Sequence, residues 1–454
     1  MRRVGVFTVA ILVLILICAG AILAANKDNK YSEKFSFVNV PDPLSGDNPV
    51  FHIKKIACPE VGKAFVDKDF STLQTVATTV KGFTGRHEYS RFDPYNANQS
   101  MILLDPSDGF KVYRTNKYPY NDNANLVRSV PLEEPRWDPK NPDIIWGTQD
   151  FTIKQFNVKS GKTTIIKDFS KDKKIGPLTK QNVYRITMSD EGESSADKRY
   201  WAFFIQGNER KDYKQQYIFT WDRTKDQILG VTPIKSNETE LDWVSISPKG
   251  GWVLIGGLDN NGGRLKGLTL ASKELKRFQQ IDATTAHSDV GLDSQGREVI
   301  VMQNVRTDNI DMIPLNWSTR PVSEDGSYKN TGRSKIVRLN YDSESPMGFN
   351  SDIHVSCNYP GYALIGTSSE AGSKDKNWLD RKIILVKLDT AHTKAVYLTH
   401  LYGTKGSYWE ETHASITHDG SRVVWATNWG QNVGKEKVFM MELKMPTKWT
   451  SKIK

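Results

Sequence analysis

Residues 243–257 read WVSISPKGGWVLIGG, and the plan recurs at 290–304, VGLDSQGREVIVMQN, and at 414–428, ASITHDGSRVVWATN. Each is a short apolar run rich in Val, Ile and Trp, a tight polar turn, and a second apolar run. The turns Pro-Lys-Gly-Gly, Asp-Ser-Gln-Gly and His-Asp-Gly supply residues that tolerate positive φ, as close hairpins require. Working outward, third and fourth runs follow in places, such as FTIKQFNV at 151–158 with KTTIIKDF at 162–169, and QYIFTWD at 216–222 with QILGVT at 227–232. Aligned on these features the chain divides into seven units that begin near His87, Glu134, Tyr184, Asp242, His287, His354 and His413. A spacing of about 40–70 residues suits four-stranded blades with inserted loops. No stretch carries a sustained helical period; KELKRF at 273–278 makes a single turn at most.

The expectation is an all-β, seven-bladed β-propeller over residues 61–444, a repeat architecture behaving as a monomer, with a β-sandwich or two-domain chain as the alternative. The last unit is short, ending in KVFMMELK at 437–444, while residues 62–80 precede the first full unit. Residues 62–80 are therefore expected to supply a strand to the last blade, closing the ring and removing an exposed edge. Residues 26–60 read as a linker or surface wrap, and the lysine-rich residues 445–454 as a frayed basic tail.

The chain has 454 residues, and its mean hydropathy of −0.52 excludes a multi-span helical membrane protein. Arg2 and Arg3 precede an uncharged run from Val4 to Ala25, which reads as a signal peptide or an uncleaved signal anchor over 1–25. A secreted or periplasmic location is expected, with membrane contact only through that segment. Without it the formal charge falls from +10 to +8, mildly basic and compatible with an acidic polymer. No zinc finger, helix-turn-helix or RNA-binding signature is present, which argues against nucleic acid. Cys58 and Cys357 are the cysteines outside the leader, and an oxidising compartment would allow them to pair.

The first strand of each propeller blade lines a central channel, so residues at equivalent positions of different units become neighbours. His287, His354 and His413 open consecutive units, and three neutral imidazoles so placed can hold a divalent metal with positions left open. The competing reading is that each histidine only bonds within its own blade. His87, Tyr89 and Arg91 alternate along one strand and share a face, offering a base, a phenol and a guanidinium. Arg136, Arg185 and Arg199 are further cationic candidates, and Glu410, Glu411 and Asp242 are carboxylates that could approach the channel. His52, His392, His400 and His418 read as surface residues. No Gly-x-Ser-x-Gly elbow, phosphate loop or dinucleotide fingerprint occurs, and no organic cofactor is expected.

The segments GKAFVDKDF (62–70), GRHEYSRFDPYNANQSMILL (85–104), EPRWDP (134–139), SADKRYWAFF (195–204), HSDVGLD (287–293) and YWEETHASITHDGSRVVWATNWG (408–430) resemble a family of exported bacterial seven-bladed propellers. That family is similar to polysaccharide lyases of the ulvan lyase and oligogalacturonate lyase types. The resemblance implies degradation of an anionic, uronate-containing polysaccharide by β-elimination. It further implies a divalent metal (Mn, Ca or Zn) on His287, His354 and His413, and elimination by His87, Tyr89 or Tyr184 with Arg136 or Arg199. Oligogalacturonate lyases use an additional glutamine ligand; Asn350 and Ser351 stand in that region here. A non-catalytic propeller that binds glycans or envelope proteins, or a glycoside hydrolase, is the alternative.

Overall fold

A computed structural model describes residues 36–80, 84–105, 108–258, 262–340, 350–368, 375–391 and 393–453. Residues 1–25, read as a signal peptide or signal anchor, and His392 lie outside the described residues. The described chain is built from sheets in sequence order, antiparallel apart from the short parallel pairing of Thr84–Gly85 with Val438–Lys444, with short 3-10 turns and no α-helix among the described residues.

Blade 2 runs through Glu133–Trp137, Ile144–Gln149, Thr152–Asn157 and Thr163–Asp168; blade 3 through Val183–Thr187, Tyr200–Gly207, Gln215–Asp222 and Gln227–Pro233. Blade 4 comprises Leu241–Ile246, Val253–Gly257, Leu268–Ala271 and Phe278–Asp282, and blade 5 Ser288–Leu292, Glu298–Asn304, Asn309–Pro314 and Ser334–Arg338. Blade 6 comprises Ser351–Ser356, Tyr362–Ser368, Lys382–Lys387 and Lys394–His400, with Val38–Asn39 added at its outer edge. Blade 1 has Met101–Leu104, Lys111–Arg114 and Leu126–Ser129; its innermost strand is reduced to the Tyr95–Ile102 bridge. Gly250 and Gly420 sit in the hairpin turns at φ +75° and +67°, the conformation their sequences promised.

Among the described residues the buried apolar side chains fall into seven clusters, each between two neighbouring blades rather than within one. Alternation explains this: each strand presents one set of side chains to the blade before it and the other set to the blade after it. The cluster of Ala77, Val424 and Met440 with Tyr95, Ile102 and Leu104 joins blade 7 to blade 1, so the ring is closed.

Closure comes from the N-terminal segment, as expected. Blade 7 consists of Ser415–Ile416, Arg422–Thr427 and Val438–Lys444, and Leu73–Val76 pairs antiparallel with its third strand, followed by Ala64–Val66. Phe70 is fully buried, and Gln74 Nε2 donates to Thr399 Oγ1 of blade 6. A second closure device is polar: the buried Glu442 carboxylate of blade 7 accepts from Tyr95 (3.0 Å), Tyr120 (2.9 Å), Tyr118 and Arg422.

Two expectations, on the basic tail and on His400, are corrected, and the pairing of Cys58 and Cys357 that the sequence left open is answered. Residues 445–453 are not frayed: Met445, Trp449 and Ile453 pack into the core between blades 6 and 7, and Trp449 Nε1 donates to the Gly420 carbonyl. Cys58 and Cys357 are both free thiols, so no disulfide joins them. His400 is buried at 1% exposure, with Nε2 2.9 Å from Asp69, tying the closing segment to blade 6.

Candidate functional site

The inner strands carry their register irregularities at the same end. Shifts fall at Glu133/Arg136, Val183/Arg185, Leu241/Trp243 and Ser351/His354. Such bulges re-aim side chains near a sheet's rim. Backbone strain gathers there too: Glu134, Asp352 and His413 have φ of +48°, +50° and +44°. For non-glycine residues this conformation is uncommon and persists where the surroundings over-determine it.

The result is a histidine cluster drawn from four consecutive blades around the ring. The rings of His354 and His413 stack at 4.2 Å, and His287 meets His354 edge-on at 5.0 Å. Tyr89 of blade 1 lies against His354 (5.5 Å) and His413 (5.0 Å), and its hydroxyl shares a 3.3 Å hydrogen bond with His287 Nδ1. His354 Nε2 is 3.0 Å from Glu411 Oε2, while Lys405 sits 3.2 Å from the other Glu411 oxygen and also pairs with Asp352. At the rim, Tyr408 packs on His413 at 5.8 Å, and both Tyr408 and Trp409 remain exposed (48% and 43%).

His354, Glu411 and His413 each offer a ligand atom, all within 4.8 Å of one another. The fit to a cation is chemical as well as geometric. Both ring nitrogens of His413 are buried without a hydrogen-bond partner, as is His354 Nδ1. Two imidazoles and a carboxylate form a donor set suited to a divalent transition ion. His287 adjoins this set without belonging to the tight group. Glu411 takes that place, and in the sequence it was legible only as a carboxylate near the channel.

Burial keeps these imidazoles neutral, the form a metal ligand needs. Desolvation pushes His354 and His87 down to about 3, with the Arg86 charge adding to both, and His287 to about 4; His413 is also held well below its ordinary value. Desolvation raises Tyr89 well above the usual phenol range, so it holds its proton. A histidine with a depressed folded pKa contributes stability that is complete above the unfolded value near 6.5 and is lost as pH falls toward the folded value. Desolvated carboxyls act in the opposite sense over much of this range: Asp289, Glu88 and Asp242 are raised to about 8, 7 and 6. The histidine contribution is therefore read as a difference. In metal-free protein, the stability of wild type relative to His354→Gln should fall by up to about 1.4 kcal/mol per pH unit below pH 6.5. Parallel denaturation curves at pH 7 and pH 5 measure it, and an unchanged difference contradicts a buried neutral His354.

The other expected residues are placed as follows. His87 is 1% exposed, and its Nε2 is 2.7 Å from the His413 carbonyl oxygen, so it positions His413 rather than facing open space. Arg91 turns away from the histidines: it donates to the Ser288 carbonyl, pairs with Glu191 at 3.0 Å and lies over Trp243. Arg136 is paired with Glu88 at 2.8 Å and lies over the Phe92 ring at 3.3 Å. Tyr184 is exposed and donates to Gln206, Arg185 bonds Gln206 and Glu133, and Arg199 pairs with Asp222, their partners among the described residues lying within blades 2 and 3. Glu134 and Glu410 are absorbed by backbone N–H groups. Asn350 Nδ2 donates to Asn377 and Asp380, a structural role. Asp67, Asp69 and His400 form a second compact group, but its members are occupied in ring closure.

No family model and no curated protein matches the chain. Among solved structures, an oligogalacturonate lyase in complex with manganese is similar at a TM-score of 0.51 and 9% identity, covering 85% of this chain and 96% of that one. An oligogalacturonate lyase from Vibrio parahaemolyticus aligns over the same shares at 0.49 and 8% identity. TolB from Acinetobacter baumannii aligns at 0.33 and 13%, covering 70% of this chain and 65% of that chain. At 9% identity the likeness to the manganese-bound lyase bears on the fold alone, and with the blades described above this chain is a seven-bladed β-propeller.

Proposed function

We propose that this chain is an exported lyase that cleaves a uronate-containing polysaccharide by β-elimination, with a divalent metal held by His354, His413 and Glu411. The observation that carries the reading is the convergence of neutral histidines from consecutive blades, with His413 unpartnered at both nitrogens, beside a hydrogen-bonded Tyr–His pair. The manganese-bound oligogalacturonate lyase, similar in fold, supports the choice of chemistry.

Elimination removes the proton on the carbon next to the uronate carboxylate, forms a carbon–carbon double bond and expels the glycosidic oxygen, which must gain a proton. A bound divalent ion would draw charge from the carboxylate and so acidify that C–H. Lys405, paired with Glu411 and Asp352, and Arg86, whose charge reaches Glu411 and His354, are the cations nearest an anionic substrate bound here. In the tautomer whose Nδ1–H donates to the Tyr89 oxygen, His287 Nε2 carries the free lone pair and acts as the base. Tyr89, held protonated, supplies the proton to the departing oxygen. This replaces the expected His87–Tyr89 pair, because His87 is committed to the His413 carbonyl. Tyr408 and Trp409 offer exposed aromatic faces on which sugar rings can stack.

The test is ultraviolet absorbance of the unsaturated product on pectate, ulvan and glycosaminoglycans. The reading expects absorbance to rise on at least one polymer and to disappear after chelation. Reducing ends released without absorbance would indicate a hydrolase, and binding without any product would indicate the non-catalytic propeller.

A further inference from the structure

The inner strands have a second end. In blade 5, His287 precedes the strand Ser288–Leu292, so Leu292 lies about 16 Å away along it. At that far mouth the hairpins of several blades surround a cavity of about 380 Å³. The Arg91–Glu191 ion pair stands on its inner wall. Phe92, Trp137, Ile246 and Pro248 give it apolar sides.

Most of the charged groups facing this cavity are already satisfied. Arg136 pairs with Glu88, and Asp93 takes His418 at 3.0 Å. Asp138 accepts from Trp146 and two backbone N–H groups, and Asp419 from Thr417 and the Ser421 N–H. Asp289 accepts from the Cys357 and Val290 N–H groups.

Lys198 is the exception. It is 8% exposed and lines the cavity, yet among the described residues its ammonium makes no hydrogen bond or direct ion pair; it lies 5.8 Å from the Trp201 ring and interacts with the Glu193 and Asp138 carboxylates only through space. Its backbone is fixed by the Lys198 N–H to Ser195 and by Trp201 and Arg223 side chains bonding its carbonyl. Glu193, half-buried on the same cavity, likewise has a carboxylate with no hydrogen bond or direct ion pair among the described residues. A largely buried lysine whose ammonium has no direct ion pair is ordinarily relieved by an anion. An open carboxylate beside it calls for hydrogen-bond donors on the same molecule.

We propose that this far mouth is a second binding site, which takes a small organic acid carrying hydroxyl groups. Lys198 holds the acid's carboxylate, Glu193 accepts from its hydroxyls, and the apolar walls cover its carbon face. The site is independent of the histidine cluster and of the lyase reading.

Calorimetric titration of the full chain with sodium D-galacturonate tests it, with galactose and glutamate as comparisons. Saturable binding of galacturonate is expected, with galactose weaker by about tenfold or more, a difference of about 1.4 kcal/mol. Lys198→Met should weaken the acid by at least about tenfold and leave the melting temperature of unliganded protein level or higher, since it removes a buried unpaired charge. Glu193→Gln, at a half-buried position without a direct ion pair, should weaken galacturonate without altering the fold. His354→Ala should leave this binding event intact whether or not the protein proves to be a lyase. No saturable binding to wild type overturns the proposal. So does binding that both Lys198→Met and Glu193→Gln leave unchanged, or that His354→Ala abolishes. Glutamate binding more tightly than galacturonate overturns the assignment to a hydroxylated acid.

Discussion

Replacing His413 by Asn should lower product formation on the responsive polymer by about 10²- to 10⁴-fold, while the melting temperature moves by only a few degrees. His413 has φ +44°, where asparagine is among the best tolerated non-glycine residues, so the backbone at the start of the last inner strand is retained. The imidazole lost is the one that stacks on His354 at 4.2 Å and has no hydrogen bond of its own to lose. A histidine that only stabilised its blade would show the reverse pattern, a fall in melting temperature with activity preserved per folded molecule. Tyr89→Phe separates proton transfer from metal binding. It removes only the hydroxyl that meets His287, so activity should fall while metal content stays the same.

Deleting residues 62–80 should prevent cooperative folding altogether. The segment supplies the fourth strand of blade 7, buries Phe70 and Val76, and bridges to blade 6 through Thr72, Gln74 and Asp67. Burial of each large apolar side chain is worth about 1.5–3 kcal/mol, and each net hydrogen bond about 1 kcal/mol. Together these losses are comparable to the whole margin of a typical fold, about 5–15 kcal/mol. The deletion also bares the long edge of Val438–Lys444, a template for aggregation. Soluble yield and a thermal melt measure the outcome; a cooperative transition close to that of wild type would contradict closure by this segment.

The propeller was legible in the sequence because its two signals are local. Runs such as VLIGG and VIVMQN mark strands by composition, and Pro-Lys-Gly-Gly or His-Asp-Gly mark the hairpins between them. Ring closure was legible because the last unit lacked a strand that residues 62–80 could supply. The site was legible only in part. His354 and His413 share a register, and the repeat brings equal registers together. Glu411 and Lys405 lie in the connection before blade 7, where no repeat fixes position, so their approach to His354 could not be read. Alternation assumed a regular strand at 87–91, but blade 1's inner segment is irregular there, which sends His87 to a carbonyl and Arg91 toward Glu191. Arg199 and Tyr184 looked alike as candidates, yet their partners are neighbours within blade 3.

Equilibrium dialysis of the full chain against manganese at pH 7, with metal counted per chain, tests the central claim most directly. The account predicts one tightly held ion in wild type, and none in His413→Asn or His354→Ala at the same free concentration. No ion in wild type, or equal retention in all three proteins, would contradict it.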